Sequence, residues 1–354
     1  MPLQHFTIPD FRLQRGGVLA EATIAYLTLG RLAPGGRNAV LMTHGYTSGP
    51  DYVLGEDGAS EGSWAALVGP GRPIDTDRCF VVSSNMLGSS FGSTNAASTD
   101  PATGKPYGSR FPDLTVADIV TAQRRLLDHL GIRHLRAVIG PSYGGFQAFA
   151  WAVTFPDFMH AIVAAVTAPR APPGRLEPLL ARLAQDPNWN NGDYYDRGGV
   201  RDTTTQMRIE TLRGYGIEAQ LADRIADPAA REAELHRIAR AWAESFDANS
   251  LVILRKALLG YDVEPDFARI RARVLYVLST TDTLFPPSLA EPVMRKLRDA
   301  GVQAEYVELN SPYGHLASGR DAAKWAPALR RFLDALPPDP CGWSPILDTP
   351  ATPL

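Results

Sequence analysis

Residues 135–156 read LRAVIGPSYGGFQAFAWAVTFP, and the reading of this stretch decides the fold. Ala137-Val138-Ile139 is an apolar run of the kind that forms a buried strand, and Phe146 to Val153 carries apolar residues at helical period. Between them stand Gly140-Pro141-Ser142-Tyr143-Gly144-Gly145. A strand, a tight turn with glycine on both sides of a serine, and then a helix form the context in which G-x-S-x-G makes a nucleophile elbow. Such a turn strains the serine backbone and lifts its hydroxyl above the strand. Gly140 and Gly144 suit it because a Cβ there would strike neighbouring backbone. Gly145 lets the helix pack close to the strand, and Pro141 is tolerated at the strand's end, where a missing N–H costs least. The other reading of Ser142 is a serine in an ordinary strand–helix turn.

The same pattern occurs twice more, at Gly58-Ala59-Ser60-Glu61-Gly62 and Gly88-Ser89-Ser90-Phe91-Gly92. The first lies in the polar stretch LGEDGASEG with no strand before it. The second follows the apolar run Cys79-Phe80-Val81-Val82, but what comes after is STNAASTDPATGKPYG, a loop composition. Only Ser142 has both flanks.

Working outward, strands are expected at Phe6–Leu13, Ala20–Leu29, Asn38–Thr43, Cys79–Ser84 and Met159–Val166, with a helix capped by Thr115 before the central strand. From Pro169 to Tyr261 the alternation stops, and polar segments of helical period such as Leu176–Leu183 and Ala230–Phe246 take over. Alternation resumes with a strand at Val274–Leu278, a helix at Ser288–Leu297, a strand at Gln303–Leu309 and a helix at Ala322–Leu336. The expected architecture is therefore α/β, a mostly parallel sheet flanked by helices with an inserted helical cap. Residues 1–168 and 262–340 would form the core, 169–261 the cap, and 341–354 a Pro-rich tail.

Composition excludes several classes. With 354 residues the chain is long enough to bury roughly three quarters of its unfolded surface. A net charge of −3 gives no electrostatic reason to expect nucleic acid or an anionic membrane. Two cysteines, Cys79 and Cys341, make neither a disulfide framework nor a metal cluster. The N-terminal MPLQHFTIPDFRLQRGG has no signal-peptide pattern, and no apolar stretch reaches membrane-spanning length. A cytoplasmic protein is expected. No two histidines stand at metal-ligand spacing with a carboxylate, and no phosphate-binding loop ends in Lys-Ser/Thr, so no metal and no cofactor are expected.

A serine nucleophile needs a base, and the base needs an orienting acid. Of seven histidines, His129, His134 and His160 fall at the wrong ends of strands, His236 lies in a charged helical run, and His5 precedes the first strand. His315 follows the last strand, at the carboxyl edge where open sheets bind ligands. Asp282 ends the Val274–Leu278 strand in the order Ser, Asp, His expected of this architecture. Its alternative role is to cap the following helix. For the oxyanion, the backbone N–H of Tyr143 and that of Tyr46, in the loop after Asn38–Thr43, are the candidate donors. His44 reads as structural.

With those residues assigned, the chain resembles the homoserine O-acetyltransferase family of α/β-hydrolase-fold proteins. The specific stretches are Gly69–Arg78 (GPGRPIDTDR), Asn85–Gly88 through Pro101–Gly108, Asp186–Tyr194 (DPNWNNGDY), Phe246–Ser250, Leu284–Pro287 and Ser311–His315. The resemblance implies a Ser142–His315–Asp282 triad, a helical cap and homodimerisation through it. It also implies that the residue after the histidine, typically an Asp that holds the homoserine amine, is here Leu316, and that Arg208 in Thr205-Gln206-Met207-Arg208 corresponds to the arginine for the amino acid's carboxylate. The expected function is a serine acyl-ester hydrolase acting on short-chain, acetyl-type esters of small molecules through an acyl-enzyme. The alternative is an O-acyltransferase moving an acyl group from acyl-CoA to an alcohol.

Overall fold

The computed structural model describes residues 2–55 and 62–338. Ser60 and the tail expected at 341–354 lie outside the described residues. Eight strands make one sheet: β1 (Gln4–Arg12), β2 (Val18–Leu29), β3 (Ala39–Thr43), β4 (Phe80–Ser84), β5 (Leu135–Pro141), β6 (Met159–Ala165), β7 (Arg273–Ser279) and β8 (Ala304–Leu309). They are ordered β1-β2-β4-β3-β5-β6-β7-β8. β2 runs antiparallel to both its neighbours, and every pairing from β4 through β8 is parallel. The central strands are buried on both faces, which is why they read as continuous apolar runs rather than alternating ones.

Helices cover both faces. On one side α1 (Val116–His129) and α2 (Tyr143–Thr154) pack with Val138, Ile162 and Tyr276. On the other, α10 (Ala322–Asp334) packs Trp325, Leu329 and Phe332 on Ile139, Val163 and Val277. The cap of α1 is as expected: Thr115 Oγ1 accepts from the Asp118 N–H at 3.1 Å while Asp118 Oδ2 accepts from the Thr115 N–H at 2.8 Å. Between β6 and β7 come α3 (Glu177–Leu183), α4 (Arg201–Gly214), α5 (Ile217–Ala222), α6 (Pro228–Ser245) and α7 (Ala248–Leu258). After β7 follow α8 (Ala290–Asp299), α9 (Ala317–Arg320) and α10 (Ala322–Asp334).

The inserted segment leaves and re-enters the sheet region through one neck, where Ala171 N–H donates to Tyr261 O and Val263 N–H to Pro169 O. Its last helix, α7, is divided: Ala248 and Val252 pack with Leu183, Trp189 and Tyr194 of the insertion, and Leu251 with Trp242. Ile253, Leu254, Ala257 and Leu258 of α7 pack in the main core, while α4, α5 and α6 build a separate apolar cluster of their own. Helical period alone cannot tell which body a helix will face. The helix expected from Ser288 starts at Ala290 instead, because a short 3₁₀ turn, Pro287–Leu289, occupies the first positions.

Candidate active site

The elbow is built from missing side chains. Ser142 has φ 52° and ψ −119°, a strained conformation for a residue with a Cβ. A Cβ on Gly144 would lie 2.1 Å from Thr43 O, and one on Gly140 2.4 Å from the same oxygen. A Cβ on Gly145 would meet the Thr167 side chain at 2.2 Å. The close approach these glycines permit is fixed by hydrogen bonds. Thr43 Oγ1 donates to Gly144 O at 2.9 Å, Thr167 Oγ1 to Ser142 O at 2.7 Å, and the Ser142 N–H to Ala165 O at 2.9 Å.

His315 and Asp282 meet at the same edge. His315 Nδ1 stands 2.8 Å from Asp282 Oδ2, both side chains fully buried. The other carboxylate oxygen, Oδ1, accepts from the N–H groups of Leu284 and Phe285 at 2.8 and 3.2 Å. Asp282 therefore organises its own loop with one oxygen and faces the imidazole with the other; it caps no helix. Since a carboxylate only accepts, Nδ1 must carry its proton there, which leaves Nε2 as the lone-pair nitrogen. Nε2 is buried and has no hydrogen-bond partner among the described residues. Phe285 links the two halves of the site, its ring 5.8 Å from Phe146 in the first turns of α2 and 5.7 Å from His315.

The loop after β3 lies alongside. Tyr46 stacks on Tyr143 with centroids 5.9 Å apart, and its hydroxyl donates to Leu251 O. Burial holds the Tyr143 phenol well above its ordinary pKa, so it stays neutral and donates to Leu254 O at 3.1 Å. His44 is tied down by its ring, with Nε2 2.8 Å from Asn85 Oδ1 and Nδ1 2.9 Å from Gly45 O. Arg208, on α4, is buried at this loop: Nη1 donates to Thr47 Oγ1 at 2.7 Å, and the guanidinium lies 5.0 Å from the Trp242 ring centroid. Leu316 is also buried, packed with Ile209, Leu212, Tyr215 and Ile217 of the insertion.

The competing serine at 90 is occupied structurally. Ser90 Oγ accepts from the Asp247 N–H and bonds Ser250 Oγ, with no helix after it. Sequence reading passed over Thr281, whose hydroxyl donates to Ser311 O at 2.7 Å and accepts from the Gly314 N–H at 3.0 Å. It also passed over Tyr215, which lies against the imidazole. Thr281 stands next to Asp282, a signal that could have been used; nothing local marks Tyr215. Among the described residues no group of three or more potential ligands could hold a metal ion, and no helix is long and apolar enough to cross a membrane.

Residues 38–319 match the family model described as the alpha/beta hydrolase fold. A homoserine O-acetyltransferase from Geobacter sulfurreducens is 38% identical over 348 residues, covering 92% of this chain and 94% of that protein. Among solved structures, esterase E22 superposes with a TM-score of 0.83 at 28% identity, over 94% of this chain and 99% of that one. The homoserine O-acetyltransferase from Bacillus anthracis gives a TM-score of 0.84 at 25% identity, over 95% and 98%.

Proposed function

The chain belongs to the homoserine O-acetyltransferase family of α/β-hydrolase-fold enzymes, and from that premise we propose that it is a serine acyl-ester hydrolase acting on short-chain, acetyl-type esters. Ser142 is the nucleophile, His315 the base and Asp282 the orienting acid. The observation that carries this reading is the buried His315–Asp282 pair, which engages Nδ1 and leaves Nε2 without a hydrogen-bond partner among the described residues, at the sheet edge where the strained Ser142 projects.

In the reaction, Nε2 takes the Ser142 Oγ proton as Oγ bonds the ester carbonyl carbon. The carbonyl oxygen becomes an oxyanion facing the backbone N–H groups of Tyr143 and Tyr46. Collapse breaks the bond to the alcohol oxygen, which leaves with the proton from His315. Water then attacks the acyl-enzyme by the same route, giving the acid and free Ser142. Asp282 fixes the tautomer throughout and stabilises the imidazolium.

Hydrolysis is favoured over transfer by Leu316. A buried ammonium needs a carboxylate or several acceptors around it, and the residue after His315 supplies only apolar surface among Ile209, Leu212 and Ile217. A second reading, O-acyl transfer from acyl-CoA to an alcohol, draws on the acetyltransferase relatives and on Arg208, a buried guanidinium suited to an acceptor's carboxylate. The two share the acyl-enzyme and differ in what attacks it. Turnover of p-nitrophenyl acetate set against formation of O-acetylhomoserine from acetyl-CoA and homoserine separates them. The expected outcome is efficient ester hydrolysis with little O-acetylhomoserine, and the reverse order would overturn the hydrolase reading. Association of two copies through the insertion belongs to the same proposal, and sedimentation showing only monomer would remove it.

A further inference from the structure

We infer that Tyr215, at the turn joining α4 to α5, is the positioning residue of His315, so that the helical insertion holds the reaction's base in place; this rests on the triad reading above. His315 sits in a single 3₁₀ turn, Gly314–Leu316, where no strand ladder fixes it. Asp282 grips one edge of the imidazole, which restrains its distance but leaves the ring able to rock about that hydrogen bond.

Phe285 lies 5.7 Å from the ring on one side, and a further restraint comes from the turn a hundred residues earlier. The His315 N–H donates to Tyr215 O at 3.1 Å, and the Tyr215 ring lies with its centroid 4.8 Å from that of the imidazole, tilted by 44°. The two turns touch backbone to backbone. Gly216 has φ +90° and Gly314 φ +54°; a Cβ on the first would stand 3.1 Å from Tyr313 O, and one on the second 2.9 Å from Tyr215 O. A polar tie closes the outer side, where the Tyr313 hydroxyl donates to Asp223 Oδ2 just past α5. An apolar tie closes the inner side, where Leu316 packs on Ile209, Leu212 and Ile217. The residues on both sides of His315 are thus fastened to the insertion, and the ring itself rests on Tyr215. Displacing the α4–α5 turn would carry the imidazole away from Ser142 even with Asp282 intact.

The test compares Tyr215→Ala with Tyr215→Phe in p-nitrophenyl acetate hydrolysis, with thermal melts to check folding. Because misplacing a reacting group by an ångström can cost on the order of 10²-fold, Tyr215→Ala should lower kcat by about that factor while KM stays within about threefold. Tyr215→Phe, which keeps the ring, should restore kcat to within about threefold of wild type. Wild-type kcat in Tyr215→Ala, or a Tyr215→Phe as impaired as Tyr215→Ala, overturns the inference. If Tyr215→Ala does not fold, Tyr313→Phe and Asp223→Ala cut the outer tie at the surface. Each should lower kcat by about fivefold without a matching change in KM, and full kcat in both overturns it equally. Ser142→Ala in the same assay separates the layers. If it still turns over, the triad reading has failed; if it is inactive while Tyr215→Ala is fully active, only the role of Tyr215 has.

Discussion

The turn that carries Ser142 and the loop that carries His315 reach the same edge of the sheet by opposite means. Around Ser142 the chain is held by what is missing: Gly140, Gly144 and Gly145 let backbone and threonine side chains approach to distances that no Cβ would allow. Around His315 it is held by what is present: the Asp282 carboxylate, the Thr281 hydroxyl, and the ring and carbonyl of Tyr215. The first is rigid because there is no room, the second because several weak contacts agree. Steric exclusion fails abruptly when an atom is added. A set of hydrogen bonds and ring contacts fails by degrees when atoms are removed.

The largest effect should come from the chemistry proposed for both regions. Ser142→Ala removes the oxygen proposed to attack, keeps the Cβ and backbone of the turn and should leave a folded protein, with kcat lowered by roughly 10⁴- to 10⁶-fold. Adding His315→Ala should cost little more, because residues that act as one unit are not additive. Peptide mapping after a fluorophosphonate should find the label on Ser142, and a label on Ser90 would sink the assignment.

Next in size is the addition of a single methyl group at the elbow. Gly144→Ala would set Cβ against the Thr43 carbonyl, backbone that cannot turn aside. Overpacking of this kind costs about 3 kcal/mol or more, read as a large drop in Tm or as insoluble protein. Gly145→Ala meets Thr167, whose methyl can turn aside but whose Cβ, 2.6 Å away, cannot, and should cost somewhat less. Equal melting temperatures for the two would contradict the steric account of the elbow.

Removal of atoms from the histidine loop should be milder. Thr281→Val keeps the shape but strands the Gly314 N–H and leaves Ser311 O only the longer bond from Thr280 Oγ1 at 3.4 Å. The penalty for such unpaired groups is about 1–3 kcal/mol, and the expected result is a moderately lower Tm with a reduced kcat, each measured against Thr281→Ser. If Thr281→Val matches wild type in both, the loop is held without this brace.

The smallest effect lies outside both regions, at the opposite end of the sheet. His134 is buried just before β5, its ring 4.2 Å from that of His160 and with Arg37 near. Burial first, then those two groups, lower its pKa from 6.5 to about 4. The unfolded chain therefore binds the proton first. Stability from this site is fully present above pH 6.5 and declines as pH falls from there towards 4, by something on the order of 1–3 kcal/mol. Replacing His134 with Gln should flatten denaturation midpoints measured between those limits, while the wild-type slope persisting in the variant would assign it to other groups.

The amino-acid sequence by itself determined the elbow and most of the strands. A reversal within six residues makes demands that only particular residues at particular positions meet, so Gly140, Ser142, Gly144 and Gly145 announce the turn without help from the rest of the chain. The continuous apolar runs of β3, β5, β6 and β7 likewise report burial on both faces. Chain order alone pointed to His315 and Asp282, since both follow strands at the carboxyl edge, and the structure brings their side chains to 2.8 Å. Tertiary structure alone decided that part of α7 joins the main core, that Leu316 is buried among insertion helices, that Arg208 reaches Thr47, and that Tyr215 supports His315. These contacts join segments tens to hundreds of residues apart. A tyrosine or leucine carries no mark of which distant partner it will meet, because packing is settled by the shapes of whole surfaces and a tight turn by the few residues inside it.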